Sequence, residues 1–103
     1  RIESTASLSP WTTFSTPEVD PWNPNGSLAC YRPAQLQPDT EGIATWAVPC
    51  RRRVLVCVRR TLRCTWTRVV DRGPRRALAD LTVALARRIG HRGREPVLLV
   101  WAP

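Results

Sequence analysis

Four cysteines are the residues of this 103-residue chain whose type and spacing most directly suggest chemistry. They could bind a metal ion or form disulfides. Zinc sites usually bring cysteines together in tight pairs such as C-x2-C, often with histidine. Here successive cysteines are 20, 7 and 7 positions apart, and the single histidine is His91. We therefore expect no metal site and two disulfides made in an oxidising compartment, with three possible connectivities. Four buried free thiols are the alternative. The cysteines are Cys30, Cys50, Cys57 and Cys64.

The charge balance indicates what kind of partner the chain meets. The chain has 16 basic residues, all of them arginine, and 8 acidic ones, so its formal net charge is +8. This predicts an anionic partner such as nucleic acid, an acidic wall polymer or a membrane surface, although solvated surface arginines are the alternative. The arginines form short runs with no zinc-finger spacing or RNA-binding strand motif. Nucleic acid is therefore the partner that the sequence favours least.

Composition bounds the class of protein. Hydrophobic residues make up 43% of the chain, enough for one packed domain. No apolar run approaches the roughly 20 residues of a membrane-spanning helix, so we expect no membrane span. We expect no cofactor. Because the chain begins at Arg1 without a visible signal peptide, we expect it to be processed or excised from a longer one.

Residues 1–25 differ in composition from the rest. They are rich in serine, threonine and proline, and proline disfavours long helices and central strands. Aromatic residues in this segment nevertheless argue against disorder. We predict an extended arm over 1–25, which docks on its own domain or on a neighbour, and one domain over 26–103. The prolines of the arm are Pro10, Pro17, Pro21 and Pro24.

Two strands and a tight connection are predicted in the middle of the domain. Residues 53–58 are a β-branched run, and 63–70 form a second strand after a short turn. In an antiparallel hairpin centred between Arg60 and Thr61, Cys57 lies opposite Cys64. That register permits a disulfide between them and leaves Cys30 to pair with Cys50, whereas a shift of one residue would break the first pairing.

The remaining elements are shorter. We predict extended segments over 27–31, 43–48 and 97–101, with a turn over 71–74. The apolar spacing of Leu78, Leu81, Leu85 and Ile89 predicts a helix, with Thr82 or Asp80 as its N-cap and Gly90 just after its end. The fold class is therefore mostly β with one or two short helices.

One combination of motifs resembles a known family. The stretch T-R-V-V-D-R-G-P over 67–74, followed by A-D-L-T over 79–82 and A-R-R-I-G over 86–90, is similar to the signature of double-psi β-barrel domains of the rare-lipoprotein-A and bacterial expansin type. Weaker similarity extends back to G-S-L-A-C-Y over 26–31 and to Val48-Pro49 followed by Arg53-Val54. The resemblance covers residues 26–103 and implies a small six-stranded double-psi barrel.

The resemblance also implies candidate catalytic residues. Asp71 matches the aspartate of the family's D-R-G-P motif, and Asp80 matches that of its D-L-S motif. Thr45 stands where the transglycosylase-like branch has histidine, and Cys30 stands where the expansin branch has threonine. Glycan cleavage needs one group that protonates the glycosidic oxygen and another that accepts a proton or stabilises positive charge. Asp71 and Asp80 could divide these roles; alternatively, Asp71 braces a turn and Asp80 caps the helix.

Residues near the expected groove are candidates for substrate binding. Trp46 could stack on a sugar ring, although tryptophans on short strands more often pack in a core. Thr45 adjoins it. The basic residues around the groove could meet wall carboxylates or phosphates; they include Arg51, Arg52, Arg72 and Arg75.

Two functions from different classes follow. The first is an exported module that acts on peptidoglycan or another anionic wall glycan, either as a lytic transglycosylase or by loosening the wall. The second is a non-catalytic assembly protein, for example a phage virion component, that docks on neighbouring subunits through residues 1–25. The expected location is extracellular, in the cell envelope or in a virion.

Overall fold

The computed structural model describes residues 2–8, 27–73 and 78–102. Within them the chain is mostly strand with one short helix, as the sequence predicts. The elements in chain order are β1 (Ile2–Leu8), β2 (Ile43–Ala44), β3 (Arg53–Val58), β4 (Cys64–Asp71), β5 (Ala79–Leu81), α1 (Val83–Ile89) and β6 (Arg94–Val100).

Five of these strands form a curled mixed sheet in the order β5-β2-β4-β3-β6. Strand β2 runs parallel to β4 and antiparallel to β5, and β3 runs antiparallel to both β4 and β6. The remaining strand, β1, pairs in parallel with β5 and antiparallel with β6, the two strands at the ends of that order.

The position of β1 bears on the predicted arm. Ile2–Leu8 precedes Pro10, the first proline of the chain. Proline therefore does not prevent this part of the arm from pairing as a strand. The rest of the arm, 9–25, lies outside the described residues, and the division at residue 25 stays a prediction.

The β3–β4 hairpin has the predicted register. Cys57 pairs with Cys64 across the strands, and their Cα atoms are 4.0 Å apart. The two are joined by a disulfide, and Cys30 is joined to Cys50. Both bonds match the pairing expected from the hairpin, so the alternative of four free thiols is wrong.

The main core cluster combines side chains from the strands with side chains from α1. Alternation along β3 turns Val54 and Val56 inward, where both are fully buried, and β4 contributes Val69. Leu85 and Ile89 of α1 pack into the same cluster. The other fully buried large side chains of this cluster are Ile43, Val48, Val58, Leu81, Val97 and Leu99.

The helix is shorter than its apolar spacing predicts. Ala79–Leu81 forms β5, and the helix begins only after Thr82, whose Oγ1 accepts a hydrogen bond from the Leu85 N–H at 3.2 Å. Gly90 ends it at φ 73°, a left-handed conformation that glycine adopts without strain. The expected strand over 27–31 is replaced by turns and a single bridge between Ser27 and Gln35.

We expect the two disulfides to stabilise the fold unequally. They join residues 20 and 7 positions apart, and a longer closed loop removes more entropy from the unfolded chain. Replacing Cys30 and Cys50 by alanine should lower the free energy of unfolding by about 3 kcal/mol, and replacing Cys57 and Cys64 by about 2 kcal/mol. Urea denaturation of both variants tests this, and a larger loss from the second pair would contradict it.

Candidate functional site

The two candidate aspartates flank one residue of β2. Asp71 ends β4 and Asp80 lies in the middle of β5, and both are register partners of Ala44 in β2. Their backbones are therefore two strand spacings apart, or roughly 10 Å. Asp71 is 8% exposed and Asp80 3%. The sheet thus brings the two acidic residues to the same level, with both of them buried.

The carboxylate of Asp71 is engaged by backbone donors from two segments. Its Oδ1 accepts hydrogen bonds from the Arg72 N–H at 2.8 Å and from the Ala29 N–H at 3.2 Å. The Asp71 carbonyl accepts a third from the Thr45 N–H at 3.0 Å. These bonds hold the loop before Cys30 and the segment after β2 against the end of β4. Asp71 thus links these two segments to β4, and we refer to its three hydrogen bonds as the Asp71 brace.

Thr45 occupies a structural position beside this brace. It is almost fully buried, and its hydroxyl donates to the Leu78 carbonyl at 2.7 Å. The same oxygen accepts from the Ala47 N–H at 3.0 Å. The hydroxyl is therefore used inside the protein, where it fixes the turn that carries Trp46.

Trp46 is the part of this region that faces solvent. Its side chain is 48% exposed, and its indole Nε1 donates to the Gly73 carbonyl at 2.8 Å. The Arg72 guanidinium carbon lies 5.5 Å from the centre of the ring, within cation–π range. These contacts hold a flat aromatic surface in one orientation while leaving half of it open.

Arg72 holds the segment that carries this tryptophan. Its Nη1 donates to the carbonyls of Thr45, at 3.0 Å, and Val48, at 2.8 Å. The next residue, Gly73, has a φ of 66°, and a Cβ there would meet the Ala44 Cβ at 3.0 Å. Arg72 was expected to bind substrate. Its observed partners are the protein's own carbonyls, and Arg75 lies outside the described residues.

Sequence reasoning missed Tyr31, whereas it named Arg51 among the basic residues around the groove. The Arg51 guanidinium carbon lies 4.9 Å from the centre of the Tyr31 ring, and its Nε donates to the Cys30 carbonyl at 2.7 Å. The Cys30–Cys50 disulfide joins their two neighbours in the chain. For Tyr31, adjacency to Cys30 was the available signal. Cys30 itself offers no hydroxyl and no free thiol where the family that the sequence resembles has threonine.

His91 is held within its own loop. It is 8% exposed; the Gly93 N–H donates to its Nδ1 at 3.1 Å, and its Nε2 lies 3.3 Å from the Glu95 carbonyl.

The alternative that Asp80 caps the helix is wrong, because Thr82 is the cap. In the described parts of the chain, no cluster of three or more potential metal ligands is present, and no helix has the length and apolar character to cross a membrane.

A shallow depression lies elsewhere, beside the helix. It is lined by Asp39, Glu41, Ala84, Arg87 and Arg88. Hydrogen bonds from Arg88, helped by its positive charge, lower the pKa of Glu41 against the opposing effect of burial. The carboxylate of Glu41 and the guanidinium of Arg88 therefore neutralise each other. None of the residues that line this depression is aromatic, in contrast to the Trp46 region.

Comparisons with known proteins do not assign the chain. No protein-family model matches the sequence, and no curated protein matches it. The geometry described above therefore carries the functional argument.

We expect Asp71→Asn to destabilise the fold. The substitution removes the charge that strengthens two backbone hydrogen bonds, and an amide that turned its NH2 toward those donors would leave them unmatched. The free energy of unfolding should fall by about 2 kcal/mol. Asp39→Asn, at an exposed position, is the matched control and should have little effect. Unchanged or increased stability of Asp71→Asn would show that Asp71 is kept for chemistry at a cost to the fold.

Proposed function

We propose that the chain is an exported double-psi β-barrel module that binds peptidoglycan or another anionic wall glycan. The observation that carries this proposal is Trp46, half exposed and held in one orientation by the Gly73 carbonyl and by Arg72. The D-R-G-P motif that resembles the family signature contacts this ring directly, because Gly73 belongs to that motif. The pairing of β1 with both β5 and β6 is compatible with a six-stranded barrel.

A fixed aromatic ring suits a sugar ligand. The C–H groups on one side of a sugar ring form an apolar face that packs on a flat aromatic surface, while its hydroxyls need polar partners at the rim. Trp46 supplies the surface, and its orientation is set before the ligand arrives, which reduces the entropy lost on binding. Tyr31 and Arg51 lie on loops that hydrogen bonds hold against β4 and that the Cys30–Cys50 disulfide joins to each other.

Charge and redox state support a wall polymer as the ligand. The chain carries a formal charge of +8, which attracts an anionic polymer over several ångströms and adds little specificity. The two disulfides favour an oxidising location, consistent with export. Together they favour a soluble, envelope-facing binding module.

The geometry favours binding, or loosening without hydrolysis, over cleavage. A glycosidase needs carboxyl groups that reach the scissile bond, whereas Asp80 is 3% exposed and Asp71 accepts two backbone hydrogen bonds. Catalysis by Asp71 and Asp80 thus stays a hypothesis. The same burial supports the second candidate, a non-catalytic assembly protein; most of the arm on which that role depends lies outside the described residues.

Binding to purified sacculi tests the proposal. We expect the oxidised full chain to sediment with sacculi and Trp46→Ala to bind about tenfold more weakly, a loss of ~1.4 kcal/mol. Trp46→Phe, which keeps a flat ring, should retain an intermediate affinity. The matched control is Trp66→Thr, because Trp66 is also exposed, at 54%, and lies outside this site. Equal binding by Trp46→Ala and the control would contradict the proposal.

Mass spectrometry of the soluble fraction tests cleavage separately. If Asp71 is a brace, the protein should release no more anhydro-muropeptides from peptidoglycan than buffer does. Release by the intact protein that Asp71→Asn, shown to be folded, cannot produce would establish a lytic transglycosylase. A chain that neither binds nor cleaves would favour the assembly role.

A further inference from the structure

The β3–β4 hairpin carries a second exposed surface that the proposed glycan site does not use. It consists of the outward-facing side chains of the two strands together with the connecting turn, and we name it the hairpin surface. Its members are Arg53, Leu55, Leu62, Arg63, Cys64, Trp66 and Arg68.

Two large apolar side chains project from the hairpin surface. Leu62 is 65% exposed and Trp66 is 54% exposed. Among the described residues only one other large hydrophobic side chain, Trp46, is comparably exposed. On the same face Leu55 is the register partner of Trp66 and is partly exposed. An apolar face of this kind, bordered by charged residues, is typical of an interaction site.

The turn that presents Leu62 is unusual for a leucine. Its φ is 58°, in the left-handed region that few residues other than glycine and asparagine adopt. The Leu62 N–H donates to the Val58 carbonyl at 2.7 Å, which holds this conformation. Backbone strain that displays an apolar side chain to solvent points to a use for that side chain.

The hairpin is organised before any partner binds. The Cys57–Cys64 disulfide closes its end, and the Val58 N–H donates to the Arg63 carbonyl at 2.9 Å. A partner therefore does not have to order the turn, which lowers the entropic cost of association.

Arginines surround the apolar residues. The Arg53 guanidinium carbon lies 5.0 Å from the centre of the Trp66 ring. The guanidinium of Arg68 donates to the Arg51 carbonyl, and that of Arg63 to the Arg88 carbonyl, each at 2.9 Å. A ring and two carbonyls orient these groups without cancelling their charge. Residues 51–70 contain seven arginines and no acidic residue, and one of the seven, Arg60, is paired with Glu95 of β6.

We propose that the hairpin surface docks the protein on an anionic lipid bilayer. Leu62 enters the acyl boundary, Trp66 lies at the headgroup level, and the surrounding arginines contact lipid phosphates. A bilayer supplies an apolar layer directly beneath a layer of negative charge, which matches apolar side chains ringed by guanidinium groups. A protein partner would need an apolar pocket and carboxylates at matching positions.

Vesicle flotation with the oxidised full chain tests the inference. We expect binding to vesicles of phosphatidylcholine mixed with phosphatidylglycerol, and about tenfold weaker binding to phosphatidylcholine alone. Leu62→Asn is well suited to this test, because asparagine tolerates the left-handed backbone while removing the apolar side chain. Combined with Trp66→Thr, it should weaken binding to the anionic vesicles about tenfold. Trp46→Ala is the matched control and should bind like the unaltered protein.

Fluorescence quenching by brominated acyl chains adds a readout of insertion. Quenching by anionic vesicles should persist in Trp46→Ala and fall in Trp66→Thr. Equal affinity for both kinds of vesicle, or no affinity for either, would overturn the proposal. So would anionic-vesicle binding that the combined variant leaves unchanged, since charge alone would then account for it. None of these outcomes depends on whether the chain binds sacculi.

Discussion

The candidate site depends on the hydrogen bonds that the carboxylate of Asp71 accepts from the backbone. A carboxylate that is 8% exposed must be matched by hydrogen-bond donors, because removing it from water is otherwise costly. The Ala29 and Arg72 N–H groups supply that match, and the Thr45 N–H binds the carbonyl of the same residue. One residue at the end of β4 thus holds together three segments that are distant in sequence. Trp46 follows Thr45 in one of them, so these bonds also fix the position of the tryptophan.

Covalent and polar contacts supplement apolar packing in this region. Cys30 and Val48 of the site loops belong to the main core cluster. The Cys30–Cys50 disulfide ties two loops together, and Arg72 bonds the Thr45 and Val48 carbonyls. Each of the two Arg72 hydrogen bonds satisfies a backbone carbonyl that would otherwise need water, so irregular backbone can approach the sheet closely.

Local signals were enough to predict part of the fold. The β-branched run of β3 and the spacing of Cys57 and Cys64 specify the hairpin register, because only one antiparallel alignment brings the two cysteines face to face. They were not enough for Ala79–Leu81, a three-residue strand inside apolar spacing that also fits a helix. Its extended form depends on pairing with β1 and β2, and such long-range partners leave no local signature. The same applies to Arg72, whose bonded carbonyls lie 27 and 24 positions earlier in the chain.

Two exposed tryptophans each lie beside an arginine, yet their settings differ. At Trp46 the ring is tied by a directional hydrogen bond, and Arg72 is committed to two carbonyls. Such a surface accepts a rigid ligand in one orientation. At Trp66 the neighbours are Arg53 and a strand partner that is itself apolar, Leu55, so the contact is broad and has little directional preference. The same pair of residue types therefore fits our proposal of a shaped ligand in the first setting and our proposal of an extended surface in the second.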